Sequence, residues 1–170
     1  MPFPLQALIL WLHLLAAMSW IGGLMFQVLV VFPTLAWAVP TGERLRFALS
    51  LEARFRVILW PAVGLALFTG LVNLMNVWYA TVVIAGSISP TFVSILSVKL
   101  GLVVSMIAVQ AVQQLWLYPK RVAALSSVSA DVQGVPLAFR TWQRWAWLLY
   151  GTLLGLAGGA VFCAVLLRGV

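Results

Sequence analysis

The chain has 170 residues, of which 64% are hydrophobic and only 8% charged, with a formal charge of +7. A soluble core of this size cannot hide so much apolar surface, so lipid is the expected solvent and an all-α, integral membrane four-helix bundle the expected fold. The basic residues flank apolar runs and form no separate domain, which excludes nucleic acid as a partner and leaves the lipid bilayer with its anionic headgroups. A lone cysteine, Cys163, excludes an internal disulfide and a paired-thiol metal site.

In chain order, the first span runs from Leu5 to Phe32, preceded by Pro2 and Pro4 and closed by Pro33. No basic residue precedes it and it is too long for a signal-peptide core, so the small-x-small triplet Ala36, Trp37, Ala38 is not read as a cleavage site. Thr41 to Arg56 sets Leu45, Leu49 and Phe55 among charged residues at roughly helical spacing, which predicts a short interfacial helix. The second span, Val57 to Ala80, runs out at Gly86; the third, Thr91 to Tyr118, is opened by Pro90 and ended by Pro119. Residues 123–136, rich in Ser, Ala and Val, predict a flexible connector, and Trp145 to Leu167 is the fourth span. No internal repeat is evident, although a four-helix bundle can hide a diverged two-helix duplication.

Arg44, Arg46, Arg54 and Arg56 mark the first loop and Lys120, Arg121, Arg140 and Arg144 the third, whereas the second has no basic residue. This asymmetry predicts cytoplasmic loops, with both termini on the non-cytoplasmic side. Trp11, Trp78, Trp116, Trp142, Trp145 and Trp147 fall near the span ends, where indole rings anchor. In the fourth span Gly151, Gly155 and Gly159 recur every four residues, a stripe suited to close helix packing, either within the chain or at an interface with a second copy or other membrane subunits.

The acids Glu43, Glu52 and Asp131 fall in the predicted loops, so no carboxylate is expected inside the membrane. Two ionisable residues are: His13 and Lys99, each about 13 Å below the outer surface at 1.5 Å per residue. Thr69, Asn73 and Asn76 share a face of the second helix, with Asn73 at a similar depth. In the third, Lys99, Met106, Gln110 and Gln113 form a stripe expected to look into the bundle. Lys99 has three ways to meet its charge: losing the proton, snorkelling to the headgroups, or pairing with an anionic ligand such as a porphyrin propionate. His13 is open to three roles: ligand to haem or copper, polar packing group, or proton-handling site. As the lone histidine it needs another sixth ligand for six-coordinate haem; Met106 is a candidate thioether for a metal at the same site, and packing is its other role.

The run from His13 through Trp20 to Gly22 and Gly23 resembles the opening of the copper-resistance protein D (CopD) family. The similarity continues through Phe32 and Pro33, Arg54 and Phe55, Thr69 to Leu71, and Lys99 with Leu100, touching three of the four spans. The resemblance implies a polytopic protein of the bacterial inner membrane linked to copper handling, with His13 as metal-site candidate and copper or haem b as cofactor, if one is held. HemJ-type protoporphyrinogen oxidases share a similar start and a lysine in the third helix; here the fourth opens with Arg140, Trp142 and Arg144 in place of their Asn-Glu-Pro element. The expected function is therefore cofactor binding in the outer half through His13, with Lys99 and Asn73 beside it. No catalytic residue is assigned. An accessory subunit of a larger membrane complex and a HemJ-like porphyrin-oxidising enzyme are the alternatives.

Overall fold

The computed structural model describes residues 3–34, 41–84, 89–126 and 137–167, and every secondary-structure element among them is helical. Helix α1, Phe3–Phe26, is followed by a wide π-type turn, Gln27–Val31; α2, Thr41–Trp78, is followed by another, Tyr79–Ile84. Helix α3, Pro90–Ala111, passes through a third, Val112–Leu117, into the short α4, Tyr118–Ser126; α5 is Leu137–Leu166. Four rods result that are long and apolar enough to cross a membrane: Pro4–Thr34, Arg46–Trp78, Pro90–Leu125 and Arg140–Leu166. Large apolar side chains such as Leu29, Phe68, Val104 and Phe162 cover their outer surfaces, as expected where lipid replaces water. The chain is thus an integral membrane protein.

The structure corrects four boundary expectations. Thr41 to Arg56 is not a separate interfacial helix but the first turns of α2, which places Glu52 inside the bundle. Pro119 does not end the third rod, which continues to Ser126 and takes residues 123–126 out of the predicted connector. Pro33 likewise sits within helix rather than just past it. Ala36, Trp37, Ala38, Gly86 and Asp131 lie outside the described residues.

Both prolines survive for the same reason. A proline lacks its N–H and its ring collides with the carbonyl four residues back. A π-type turn just before it opens that spacing: Phe32 N–H donates to Gln27 O, and Tyr118 N–H to Gln113 O, each five residues back.

These turns expose a duplication that hydropathy alone does not reveal. Gln27, Phe32 and Pro33 recur at identical spacing as Gln113, Tyr118 and Pro119, and Lys99 stands as far before Gln113 as His13 does before Gln27. In the returning helices, Gly64-Leu65-Ala66 recurs as Gly155-Leu156-Ala157, and Glu52 and Gln143 precede these tripeptides by the same interval. Contacts repeat as well. The Phe32 ring meets Trp147 edge-on at 5.3 Å, and Arg56, the counterpart of Trp147, lies over the ring of Tyr118, the counterpart of Phe32, also at 5.3 Å. The fold is two helical hairpins, α1 with α2 and α3 with α5, joined by Phe32 on Trp147, Tyr150 on Gln27 and Arg121 on Glu52. Because both hairpins begin at the same end, the relation is a parallel repeat about an axis along the membrane normal.

Apolar side chains fill the middle of the bundle: Trp20, Leu24, Leu59, Met106, Leu153 and Ala157 form its buried core. The glycine stripe is divided. A Cβ on Gly159 would stand 3.2 Å from Leu102 of α3, so this glycine packs within the chain, whereas Cβ atoms on Gly151, Gly155 and Gly158 would meet nothing. Gly151 and Gly155 therefore face outward, away from the rest of the chain.

Candidate functional site

Polar side chains gather in two layers, one on each side of this apolar core. The outer layer, so called for the end of the bundle where α1 begins and α5 finishes, is built on His13. Its Nδ1 lies 2.9 Å from Ala66 O and 3.1 Å from Thr69 Oγ1. A carbonyl can only accept, and the Thr69 hydroxyl already donates to Leu65 O at 2.6 Å, so both partners require Nδ1 to carry the proton. Nε2 is then the nitrogen with the lone pair. Gly70 makes the seat possible: a Cβ there would lie 3.0 Å from His13 Cε1 and 3.4 Å from Nδ1. Thr69 and Gly70 are thus read together, one holding the ring and one making room for it.

Lys99 stands within electrostatic reach of His13, and Cys163 of α5 within reach of Lys99. The two ionisable residues expected to share a layer come from equivalent positions in the two hairpins, close enough to interact electrostatically. Asn73, one turn beyond Thr69, has a buried Nδ2 with no partner among the described residues. Met106 lies about 10 Å deeper along α3, seven residues on, packed in the apolar core beside Trp20. No group of three or more metal-binding His, Cys, Asp or Glu side chains occurs among the described residues. Beside this layer the outer halves of α2 and α3 part around an apolar cleft of about 580 Å³, lined by Leu74, Met75, Trp78, Phe92, Leu96 and Leu100 among others.

The inner layer contains Gln110 and Gln113, from the stripe expected to look inward, and a charged pair that was not expected. Glu52 and Arg121, read from the sequence as loop residues, are each 1% exposed and joined by a 2.7 Å bond from Nη1 to Oε2. Arg121 Nη2 donates to Gln143 Oε1 at 3.0 Å, so one guanidinium is clamped by the equivalent residues Glu52 and Gln143. Tyr150 O–H donates to Gln27 Oε1 at 3.3 Å and also interacts with Glu52 and Gln113. Gln110, Gln113 and Gln114 are buried beside them, and the wide turn at Val112–Leu117 brings both Gln113 and Gln114 inward.

This layer is under-satisfied. Trp20 Nε1, Glu52 Oε1, both amide atoms of Gln110 and of Gln113, Gln114 Oε1 and Arg121 Nε are buried without a hydrogen-bond partner among the described residues. Each such atom costs about 1–3 kcal/mol. Together they would match a typical domain's entire stability of about 5–15 kcal/mol. The signal that reveals it in the sequence is the repeated glutamine, aromatic, proline spacing, together with extension of the Gln110 and Gln113 stripe to Arg121.

Near the hairpin-turn surface, Lys120 Nζ lies 3.5 Å from the Trp116 ring centre and 4.7 Å from that of Trp142, closing α4 onto α5. Neither protein-family models, curated proteins nor solved structures provide a match to this chain.

Proposed function

We propose that this is a CopD-like polytopic membrane protein that holds a haem or copper cofactor in the outer half of its bundle through His13, in copper handling or membrane redox chemistry. One observation carries the reading: Nδ1 of His13 is fixed on Ala66 O at 2.9 Å, which orients the ring and leaves Nε2 to bind. Metal-binding histidines typically donate their second nitrogen in this way, because the bond sets the tautomer and raises the basicity of the ligating atom.

The surroundings fit such a group. Lys99 supplies a cation for a propionate or other anionic substituent, the buried Asn73 Nδ2 supplies a donor, and the apolar cleft beside them has the volume of a small-molecule site. Haem would supply one-electron chemistry, and copper likewise; the protein's part is to orient the ring, balance charge and exclude water. A metal at His13 would need other ligands than Met106, which lies deeper in the core. In this reading the protein lies in a bacterial inner membrane with the basic hairpin turns in the cytoplasm, which puts His13 and Lys99 nearer the outer face.

The test is a visible spectrum and metal analysis of protein purified in mild detergent, as isolated and after incubation with hemin or Cu(I). The expected result is a Soret band, or one bound copper, that His13→Ala removes and Thr69→Val weakens. Protein that binds neither, or that binds equally well without His13, overturns the reading. The outward Gly151 and Gly155 favour a second reading, a non-catalytic subunit whose fourth rod packs against another membrane protein or a second copy.

A further inference from the structure

We propose that the inner polar layer is a hydrated half-channel, a site whose ligand is a chain of water molecules running from the hairpin-turn end of the bundle to its middle. The inference stands apart from the role of His13. Its unpartnered buried atoms comprise four acceptors, the Oε1 atoms of Glu52, Gln110, Gln113 and Gln114, and four donors, Nε2 of Gln110 and Gln113, Nε of Arg121 and Nε1 of Trp20. A lining that gives and accepts in equal number, around an ion pair already neutral in itself, suits water better than an anion or a cation.

Backbone geometry points the same way. Two of the three wide turns occur at this level, in equivalent positions of α1 and α3, and each brings a glutamine into the layer: Gln27 in one and Gln113 in the other. Such turns concentrate at functional sites because they divert a helix from its regular packing stripe. Arg121, itself 1% exposed, and half-buried Gln143 stand at the hairpin-turn end of the layer, Glu52 and Tyr150 form its wall, and Gln110 with Trp20 its blind end. From Arg121 to Gln110 is about 16 Å along the helix axis, roughly half the hydrocarbon thickness of a bilayer. Met106 and Leu153, both nearly inaccessible, lie between it and the His13 layer. Water, and with it exchangeable protons, reaches the level of Gln110 from one side only.

The experiment is water-edited solid-state NMR on the full chain in phosphatidylcholine/phosphatidylglycerol vesicles, with the side-chain amides of Gln110 and Gln113 assigned by loss of signal in Gln110→Leu and Gln113→Leu. Magnetisation from water should reach both amides as quickly as it reaches surface amides, and far more quickly than the methyls of Leu153. Amides as slow as those methyls would overturn the proposal. An infrared measurement provides a second arm in a Cys163→Ala background. On transfer to D2O the S–H band of Gln113→Cys should vanish promptly while that of Leu153→Cys persists; persistence of both bands overturns the half-channel.

Discussion

Removal of one partner from the Glu52 and Arg121 pair is the most informative perturbation of the bundle. Arg121→Met keeps most of the side-chain volume but leaves the Glu52 carboxylate, 1% exposed, without its cation. Gln143 loses a bond at the same time. Breaking a buried pair by removing one partner costs about 3–5 kcal/mol, because the surviving charge remains desolvated. At about 2–4 °C per kcal/mol for a chain of this length, the unfolding midpoint in detergent should fall by about 6–20 °C. Glu52→Leu should cost a similar amount, since the guanidinium is then the stranded group. The double variant should recover much of either loss, because an apolar pair of similar volume needs neither partner. The assay is thermal unfolding followed by circular dichroism, arranged as a double-mutant cycle. Single losses below 1 kcal/mol, or losses that add in the double variant, would refute the claim that these residues form a buried and mutually dependent pair.

Gly70→Ala should tilt the His13 ring, since the new methyl stands 3.0 Å from Cε1; cofactor affinity, read as the titration midpoint of the visible band, should fall while helix content is unchanged. At Gly23 the Phe55 ring already occupies the space of a Cβ, so Gly23→Ala should cost about 1–3 kcal/mol in unfolding experiments and less when combined with Phe55→Leu. A Cβ on Gly155 meets nothing within the chain, so Gly155→Ala should leave the stability of the monomer within about 0.5 kcal/mol, yet shift the oligomeric state seen by light scattering if this face meets another subunit. Lys120→Ala should cost about 0.5–1 kcal/mol and shift the fluorescence of Trp116 and Trp142, whose rings it holds.

The number of membrane-length helices and the apolar environment they need could both be read from the amino acids, because apolar run length is a local, additive property. What the sequence hid depends on turns and partners. Glu52 and Arg121 look like loop residues because charge is normally a mark of exposure; only contact across the bundle shows that each buries the other. The prolines misled in a similar way. Pro33 and Pro119 are strong stop signals in a regular α-helix, but the five-residue bonds accepted by Gln27 and Gln113 remove the collision that gives them that force. The stripe of glycines in α5 was correctly spaced for packing, but spacing does not say which way a face points, and Gly151 and Gly155 point away from the other three rods.

The doubled architecture also explains why both hairpins reside in one polypeptide. Two separate, identical hairpins would carry the same residue at the positions held by Glu52 and Gln143, so two carboxylates or two amides would face the axis. In one polypeptide the two positions are free to differ: one holds an anion, the other is neutral, and a single guanidinium bonds both. The same freedom put an imidazole at one outer position and an ammonium at the other, a combination that no symmetric pair of hairpins can assemble.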